Sequence, residues 1–565
     1  MVQTIPVTPG KDYTVRAGDS LWSIAVRAYG SGVDWPIIYD ANQQTIGKNP
    51  GLIIPGQVLH IPVITTPPQP QPALPLKVST EIQGDILAGF NKDHRLYIFL
   101  QFPDQRNGRA WLKDLIPFIA DTKQVAAFNK FFKDASHAAG GKDPANLRAT
   151  WVNVSFTFDG LKILLKADPT NALRNILHAD SFVLGARDGK VLGKNGDTDA
   201  SSPDHWVVGK AKQTIHALLN IQADDPDDLA AEVQKLKALA AQHYLTIVFE
   251  QLGATLPGDL KGHEHFGYKD GISQPGVEGF DVPELAGVDA DAAAKLGDVP
   301  GNPGREVIRA GEFILGKLDE SGQPVQSLGE LDWMKNGSFQ VFRRLNQDVP
   351  GFNEQEQKNL GTLRPDDPLR GRIGALLVGR WKSGTPVDLS PDTDNELLGD
   401  DVVNNFNFSA RKVGSIDVAD DPQGARCPVT AHIRKVYPRH NGDFDNRIRR
   451  IIRRGVPFGN PFDLNRGAGF DAKAERGLIF VAYMSNIAEK FEFLMQTWVN
   501  NAGFPHTSAG PDPIIGESRP PAPITVAHPG EDVSAIFHRK VQTTGSVYAF
   551  VPAISALKGL ADGTL

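Results

Sequence analysis

Apolar and polar residues alternate in six stretches of the chain, and each predicts a β-strand with one buried face. HRLYIFLQF (94–102), TWVNVSFTF (150–158) and YLTIVFEQ (244–251) make one set. SFQVFRRL (338–345), RGLIFVAY (476–483) and GSVYAFVPAI (545–554) make a second. Helical spacing appears between them. Leu229, Val233, Leu236 and Leu239 mark one amphipathic helix. Ile487, Phe491, Leu494 and Trp498 mark another, in the run after Ser485. Strands and helices occur in both halves without regular βαβ spacing, so the pattern predicts an α+β fold. Two similar strand sets fit a duplication, although no sequence repeat marks one.

The first sixty residues follow a different pattern. YTVRAGDSLWSIAVRAYG predicts a short strand, a turn at Ala17–Gly18 and a helix capped by Asp19 or Ser20, with Leu21, Ile24, Ala25 and Ala28 on its apolar face. WPIIYDAN predicts a second helix from about Pro36. LIIPGQVLHIP predicts a tight Pro55–Gly56 turn and a strand. This strand–helix–helix–strand module, residues 12–62, resembles a LysM module through GDSLWSIA, IYDAN and LIIPGQVLHIP. The resemblance implies binding of N-acetylglucosamine polymers such as peptidoglycan or chitin, or use as an assembly domain without glycan. Residues 63–77 carry Pro67, Pro68, Pro70, Pro72 and Pro75, which predicts a semi-rigid extended spacer. The body follows as a first half, 78–252, and a second half, 253–565.

Composition narrows the function. The chain has 565 residues, 41% hydrophobic and 22% charged, with a net charge of −7. That balance argues against a nucleic-acid binder and against polybasic anchoring to a membrane. The first residues have no basic, apolar leader, and no apolar run is long enough to span a bilayer. The default expectation is a cytoplasmic protein, unless it is exported by a route that needs no cleavable leader. Cys427 is the sole cysteine. It cannot form an internal disulfide, and Cys-rich zinc and iron–sulfur sites are excluded.

Three segments carry candidate chemistry. His432 lies in RCPVTAHIRKVYPR (426–439), and a neutral imidazole is a common ligand for haem iron. By itself it would more often be a packed or surface histidine. Asp270 lies in HFGYKDGISQP (265–275). A carboxylate beside glycine on a turn can approach a flat cofactor and carry a proton, or it can simply bond its own backbone. Arg453 lies in RRIIRRGVPFG (449–459). A fixed cation suits charge that develops on a departing oxygen, whereas Arg449, Arg450, Arg453 and Arg454 together could be a solvated basic face.

With these segments quoted, the body resembles the dye-decolourising peroxidases. GYKDG matches their GxxDG signature, CPVTAHIRK the segment of their proximal histidine, and IIRRGVPFG that of their distal arginine. IQGDILAGF, SFQVFRRLNQDV and GLIFVAYMSNIAEKFEFLMQTWVN match further segments, so the resemblance runs from about residue 79 to about residue 560. The histidine and RRG segments look most like the fungal-like branch. The resemblance implies two ferredoxin-like halves with haem between them. It makes His432 the proximal iron ligand, Asp270 the distal acid–base and Arg453 the distal arginine, with Leu478 and Phe480 over the distal haem face. The haem would be haem b and non-covalent, since Cys-x-x-Cys-His is absent. Hydrogen peroxide and an aromatic reductant, a phenol or bulky dye, would be the substrates.

A histidine ligand normally has a partner for its second nitrogen, and Asp512 in GPDPIIGES is the expected one. Several other readings compete. Cys427 lacks the frame of a thiolate ligand and reads as packing. GHEHFG lacks the His-Glu-x-x-His spacing and reads as a solvated loop around His263, Glu264 and His265. Trp333, Trp381, Tyr437 and Trp498 are candidates for passing electrons to bulky substrates, or core residues. A haem-binding, trafficking or iron-releasing protein would also use His432, but it would not need Asp270 and Arg453.

Overall fold

The computed structural model describes residues 7–565 except 17–18, 30–31, 48, 64–73, 141–142, 145, 270, 282–305, 323–327, 360–368, 400–405, 414–415, 440–445, 463–473, 508, 518–522 and 527–532. In the N-terminal module, β1 (Lys11–Thr14) pairs antiparallel with β2 (Val58–Ile61). Between them lie α1 (Leu21–Tyr29) and α2 (Trp35–Ala41). Ser20 caps α1: its hydroxyl accepts from the Ser23 N–H, and the Ser23 hydroxyl accepts from the Ser20 N–H. The Ala17–Gly18 turn lies outside the described residues.

The first half of the body supplies β3 (His94–Gln101), α3 (Thr122–Ala138), β4 (Thr150–Phe156), β5 (Ala217–Ala223), α4 (Pro226–Gln242) and β6 (Thr246–Ala254). The second half supplies β7 (Ser338–Gln347), α5 (His432–Val436), β8 (Ile452–Arg453), β9 (Val456–Phe458), β10 (Gly477–Met484) and β11 (Val541–Val551). One sheet runs β8-β10-β7-β11-β4-β5-β3-β6, with β9 paired to β10. With β8 and β9, which both pair with β10, taken as one interrupted strand, both halves follow the antiparallel order second, third, first, fourth, which is the ferredoxin-like arrangement. Strands β11 and β4 join the halves at Phe550 and Phe156. The outer edges also meet: a Cβ on Gly253 of β6 would stand 2.6 Å from Val456 of β9.

The strand alternation separates two cores. Tyr97, Phe99, Phe342, Ile479 and Val481 pack inside the barrel. Leu96, Ile98, Val152, Val154 and Val341 pack outward beneath the helices. Strand β5, ALLNIQA, was not among the six predicted strands. All seven residues are buried, and its Asn220 and Gln222 point into the barrel, where Asp85 accepts from both. Ala, Asn and Gln are weak strand formers, so only burial on both faces sets this strand. The predicted helix after Ser485 is present but π-wound over Ala488–Glu492 and Leu494–Val499. Among the described residues no helix is long and apolar enough to cross a membrane.

Of the proline-rich spacer at 63–77, residues 64–73 lie outside the described residues and its described end is a turn rather than an extended run, with the Lys77 N–H donating to Leu74; the module it leads from is not set apart from the body. Trp35 stacks on Phe131 of α3 at 4.1 Å, and Trp22 meets Phe128 edge to face at 5.3 Å. Leu21, Ile24 and Ile38 thus share one core with Phe128, Phe131 and Ala135. Two tryptophans facing away from the module's own strands provide the apolar area for this docking.

Candidate active site

A cavity opens on the outer face of the second half's sheet. The sheet wall presents Leu478 and Phe480 of β10, Arg343 and Leu345 of β7, and Val541 and Thr543 of β11. The period of two along each strand sends these side chains outward while Ile479 and Val481 face the barrel interior. A register shift between Thr543 and Gly545 bends β11 here. The facing wall is helical, with His432, Ile433 and Val436 of α5 and Phe491, Met495 and Val499 of the π-wound segment. The wider winding aligns those last three residues, four positions apart, along one apolar stripe.

His432 is the first residue of α5, and its ring faces the cavity. Its Nδ1 lies 2.8 Å from Oδ2 of Asp512. Asp512 is fully buried, and its other oxygen accepts from the N–H groups of Ile514 and Ile515 at 2.8 and 3.1 Å. The Asp512 N–H donates to the Val499 carbonyl, tying this turn to the end of the π-wound segment. The carboxylate is therefore held on three sides, and the imidazole is oriented with its Nδ1 proton toward Asp512. Lys435, one turn on, is buried and donates from Nζ to the carbonyls of Asn501 and Phe504 at 2.9 and 2.5 Å. Burial lowers its pKa to about 8, opposed by the nearby Asp512 charge.

Arg453 reaches the same cavity from the sheet side. The basic run around it is not a solvated face. Arg450 is buried with its guanidinium 3.7 Å from the centre of the Tyr437 ring. Arg454 donates to the carbonyls of Asp85, Ile86 and Leu87, capping the one-turn helix Gly84–Leu87. The guanidinium of Arg453 donates to the Ser273 carbonyl at 3.1 Å. Asp270, in the same loop as Ser273, lies outside the described residues. Its neighbours Lys269 and Gly271 both line the cavity. Gly271 has φ +82°, a conformation that a glycine takes without strain.

The GHEHFG loop is not solvated as expected. His265 is buried and its Nε2 lies 2.9 Å from the Phe458 carbonyl on β9. Desolvation holds its pKa down to about 4. Glu264 accepts from the N–H groups of Phe266 and Tyr268, each at 2.9 Å, and from Gln347. The loop thus braces the GYKDG turn against β7 and β9, and backbone groups that water would otherwise satisfy are held by one carboxylate. Among the described residues no group of three His, Cys, Asp or Glu is arranged to hold a metal ion. Cys427 is fully buried and its thiol is pushed up to about 12 by desolvation, which fits packing.

Of the four aromatic candidates, Trp381 and Trp498 are buried and Trp333 packs against the outer core. Tyr437 lines the cavity and donates to Glu306 at 2.5 Å. Sequence reasoning missed Glu264, Gln274, Lys435 and the buried Arg343–Asp197 pair at the cavity's far end. Gln274 precedes a proline and Arg343 interrupts an apolar strand, and both were visible signals.

Comparison with known proteins bears on what this arrangement serves. Residues 81–254 match the DyP dimeric alpha+beta barrel domain, residues 317–505 the C-terminal Dyp-type peroxidase domain, and residues 13–62 the LysM domain. Dye-decolorizing peroxidase msp1 of Mycetinis scorodonius is 31% identical over 530 residues, covering 88% of this chain and 92% of its own. The crystal structure of a decolorizing peroxidase from Auricularia auricula-judae superposes with a TM-score of 0.66 at 29% identity, over 85% of this chain and 99% of that one. The potassium binding protein Kbp of Escherichia coli O6:H1 matches 57 residues at 42% identity, 10% of this chain and 38% of its own. This chain therefore belongs to the dye-decolourising (DyP-type) peroxidase family and carries a LysM domain ahead of its peroxidase body.

Proposed function

We propose that the cavity holds non-covalent haem b and that the protein uses hydrogen peroxide to oxidise phenols and bulky aromatic dyes. The observation that carries this is the opposed placement of His432, held by Asp512, and Arg453 around one cavity with otherwise mostly apolar walls. The residues fit the group. An imidazole whose Nδ1 is committed to a buried carboxylate offers Nε2 to iron. The apolar stripe Phe491, Met495 and Val499 suits a flat macrocycle, and the cationic side chains of the lining suit its carboxylates.

Bound haem supplies the two-electron reduction of peroxide and the one-electron oxidation of the reductant. The chain's residues do the rest. His432 positions the iron, and Asp512 keeps that ring in one tautomer. Asp270 would take a proton from one oxygen of hydrogen peroxide and return it to the other, which leaves as water. Arg453 stabilises the negative charge that develops on that leaving oxygen. Leu478 and Phe480 exclude water above the site. The names of the relatives support the dye substrates.

The test is optical. Haem-loaded protein shows a Soret band that His432→Ala removes, while Asp270→Ala and Arg453→Leu keep the band but react slowly with peroxide. Unchanged peroxide kinetics in both distal variants would refute the assignment. For the LysM domain we propose glycan docking or assembly. Sedimentation of the full chain with peptidoglycan or chitin separates them. The cytoplasm is proposed as the site of action.

A further inference from the structure

Arg453 sits on an edge strand of two residues. Among the described residues strand β8 pairs only with β10, through Ile452 opposite Tyr483 and Arg453 opposite Ala482. The Arg454 N–H donates inward, to Val481 of β10 at 2.7 Å. By the alternation of a strand, the N–H and C=O of Arg453 then point to the open edge. Both are met there by one side chain. Oε1 of Gln274 accepts from the Arg453 N–H at 3.1 Å, and Nε2 of Gln274 donates to the Arg453 carbonyl at 3.0 Å. The carboxamide does what the next strand of the sheet would do. Ser273, one residue before, takes the guanidinium itself at 3.1 Å. Pro275, one residue after, restricts Gln274 to extended backbone and so fixes where its side chain starts.

We infer that Gln274 is a positioning residue for the distal arginine. It locks the Ser273–Gln274 stretch to the strand that carries Arg453, so that the cation keeps a fixed place at the cavity. The inference rests on the reading of Arg453 given above. The Arg454 guanidinium also approaches the Arg453 carbonyl, at 3.3 Å, and the Gln274 carboxamide meets both the N–H and the C=O of that residue. A shift of about 1 Å in a group that must meet a reacting oxygen costs on the order of 100-fold in rate.

The acid Gln274→Glu gives a sharp test in the haem-loaded full chain. A protonated carboxyl has one acceptor and one donor, as the amide has, whereas a carboxylate faces the Arg453 carbonyl with a second acceptor. The ratio of variant to native peroxide rate should therefore be near one at pH values where the carboxyl is protonated. It should fall about 10- to 100-fold as the carboxyl ionises. Gln274→Met should be slow at every pH. It should also weaken fluoride binding to the distal face, read from the Soret band, by a similar factor. Adding Gln274→Met to Arg453→Leu should change neither quantity further.

A pH-independent ratio for Gln274→Glu overturns the inference. So does an undiminished fluoride affinity in Gln274→Met, or losses that multiply in the double variant. If Gln274→Met loses haem, the pH ratio of the isosteric acid decides alone. Native behaviour of Arg453→Leu overturns the reading of the site and Gln274 with it. A slow Arg453→Leu beside a native-like Gln274→Glu at all pH values overturns only the role of Gln274.

Discussion

Replacing Asp512 by Asn removes one charge and one acceptor. With the amide oxygen toward Nδ1 of His432 a neutral hydrogen bond is kept there, and the NH2 then faces the Ile514 and Ile515 N–H groups, which now meet the buried carboxylate at 2.8 and 3.1 Å. What changes is the 2.8 Å contact with Nδ1 of His432. Hydrogen bonds to charged groups contribute about 1.5–3 kcal/mol, against about 0.5–1.5 kcal/mol for neutral ones, so the difference is about 1–2 kcal/mol. A negative partner makes the imidazole a stronger donor and favours the more positive state of the metal. At 59 mV per tenfold for a one-electron couple, its loss should raise the iron(III)/iron(II) midpoint potential by about 40 to 90 mV. Spectroelectrochemical titration of the Soret band measures this, with haem content as the control. A variant that retains haem and titrates within about 10 mV of native, well under the tenfold unit, would show that the Asp512 charge does not reach the metal through His432.

Arg453→Leu should bind haem yet lose about 100- to 1000-fold in the rate of the peroxide step, measured by stopped-flow absorbance, as for other removed charge stabilisers. His265 has a pKa of about 4 folded against an ordinary 6.5, so the unfolded chain binds more protons between those values. Its contribution is present above pH 6.5 and is lost as pH falls toward 4. The native protein should therefore lose about 2 kcal/mol between pH 7 and pH 5 through this group, and urea denaturation of His265→Gln should show a flatter dependence. Equal slopes would place the burial cost elsewhere. Trp35→Ala removes the ring stacked on Phe131, should cost about 3–5 kcal/mol in the shared core, and should split one calorimetric transition into two. A single unchanged transition would mean that the Trp35–Phe131 stack is not what couples the module to the body.

The sequence by itself determined the strands whose two faces differ, because a half-buried strand must alternate. It also determined the module's element order through its caps and turns. His432, Asp270 and Arg453 were legible only as parts of longer segments, since an isolated histidine or arginine carries no position. Asp512 could be guessed from what a ligand histidine requires. The tertiary structure alone decided the rest. Strand β5 is buried on both faces, so neither its partners nor its polar interior contacts with Asp85 show in a one-dimensional pattern. GHEHFG has the composition of a solvated loop, yet His265 is drawn in by the Phe458 carbonyl and Glu264 by the Gln347 side chain, both on distant strands. The apolar face read for the module's first helix left out Trp22, and the partners of Trp22 and Trp35 lie on a helix about a hundred residues away. Periodicity records which side of an element is buried. What it is buried against depends on contacts between residues far apart in the chain, and the cavity between β10 and α5 is made of such contacts.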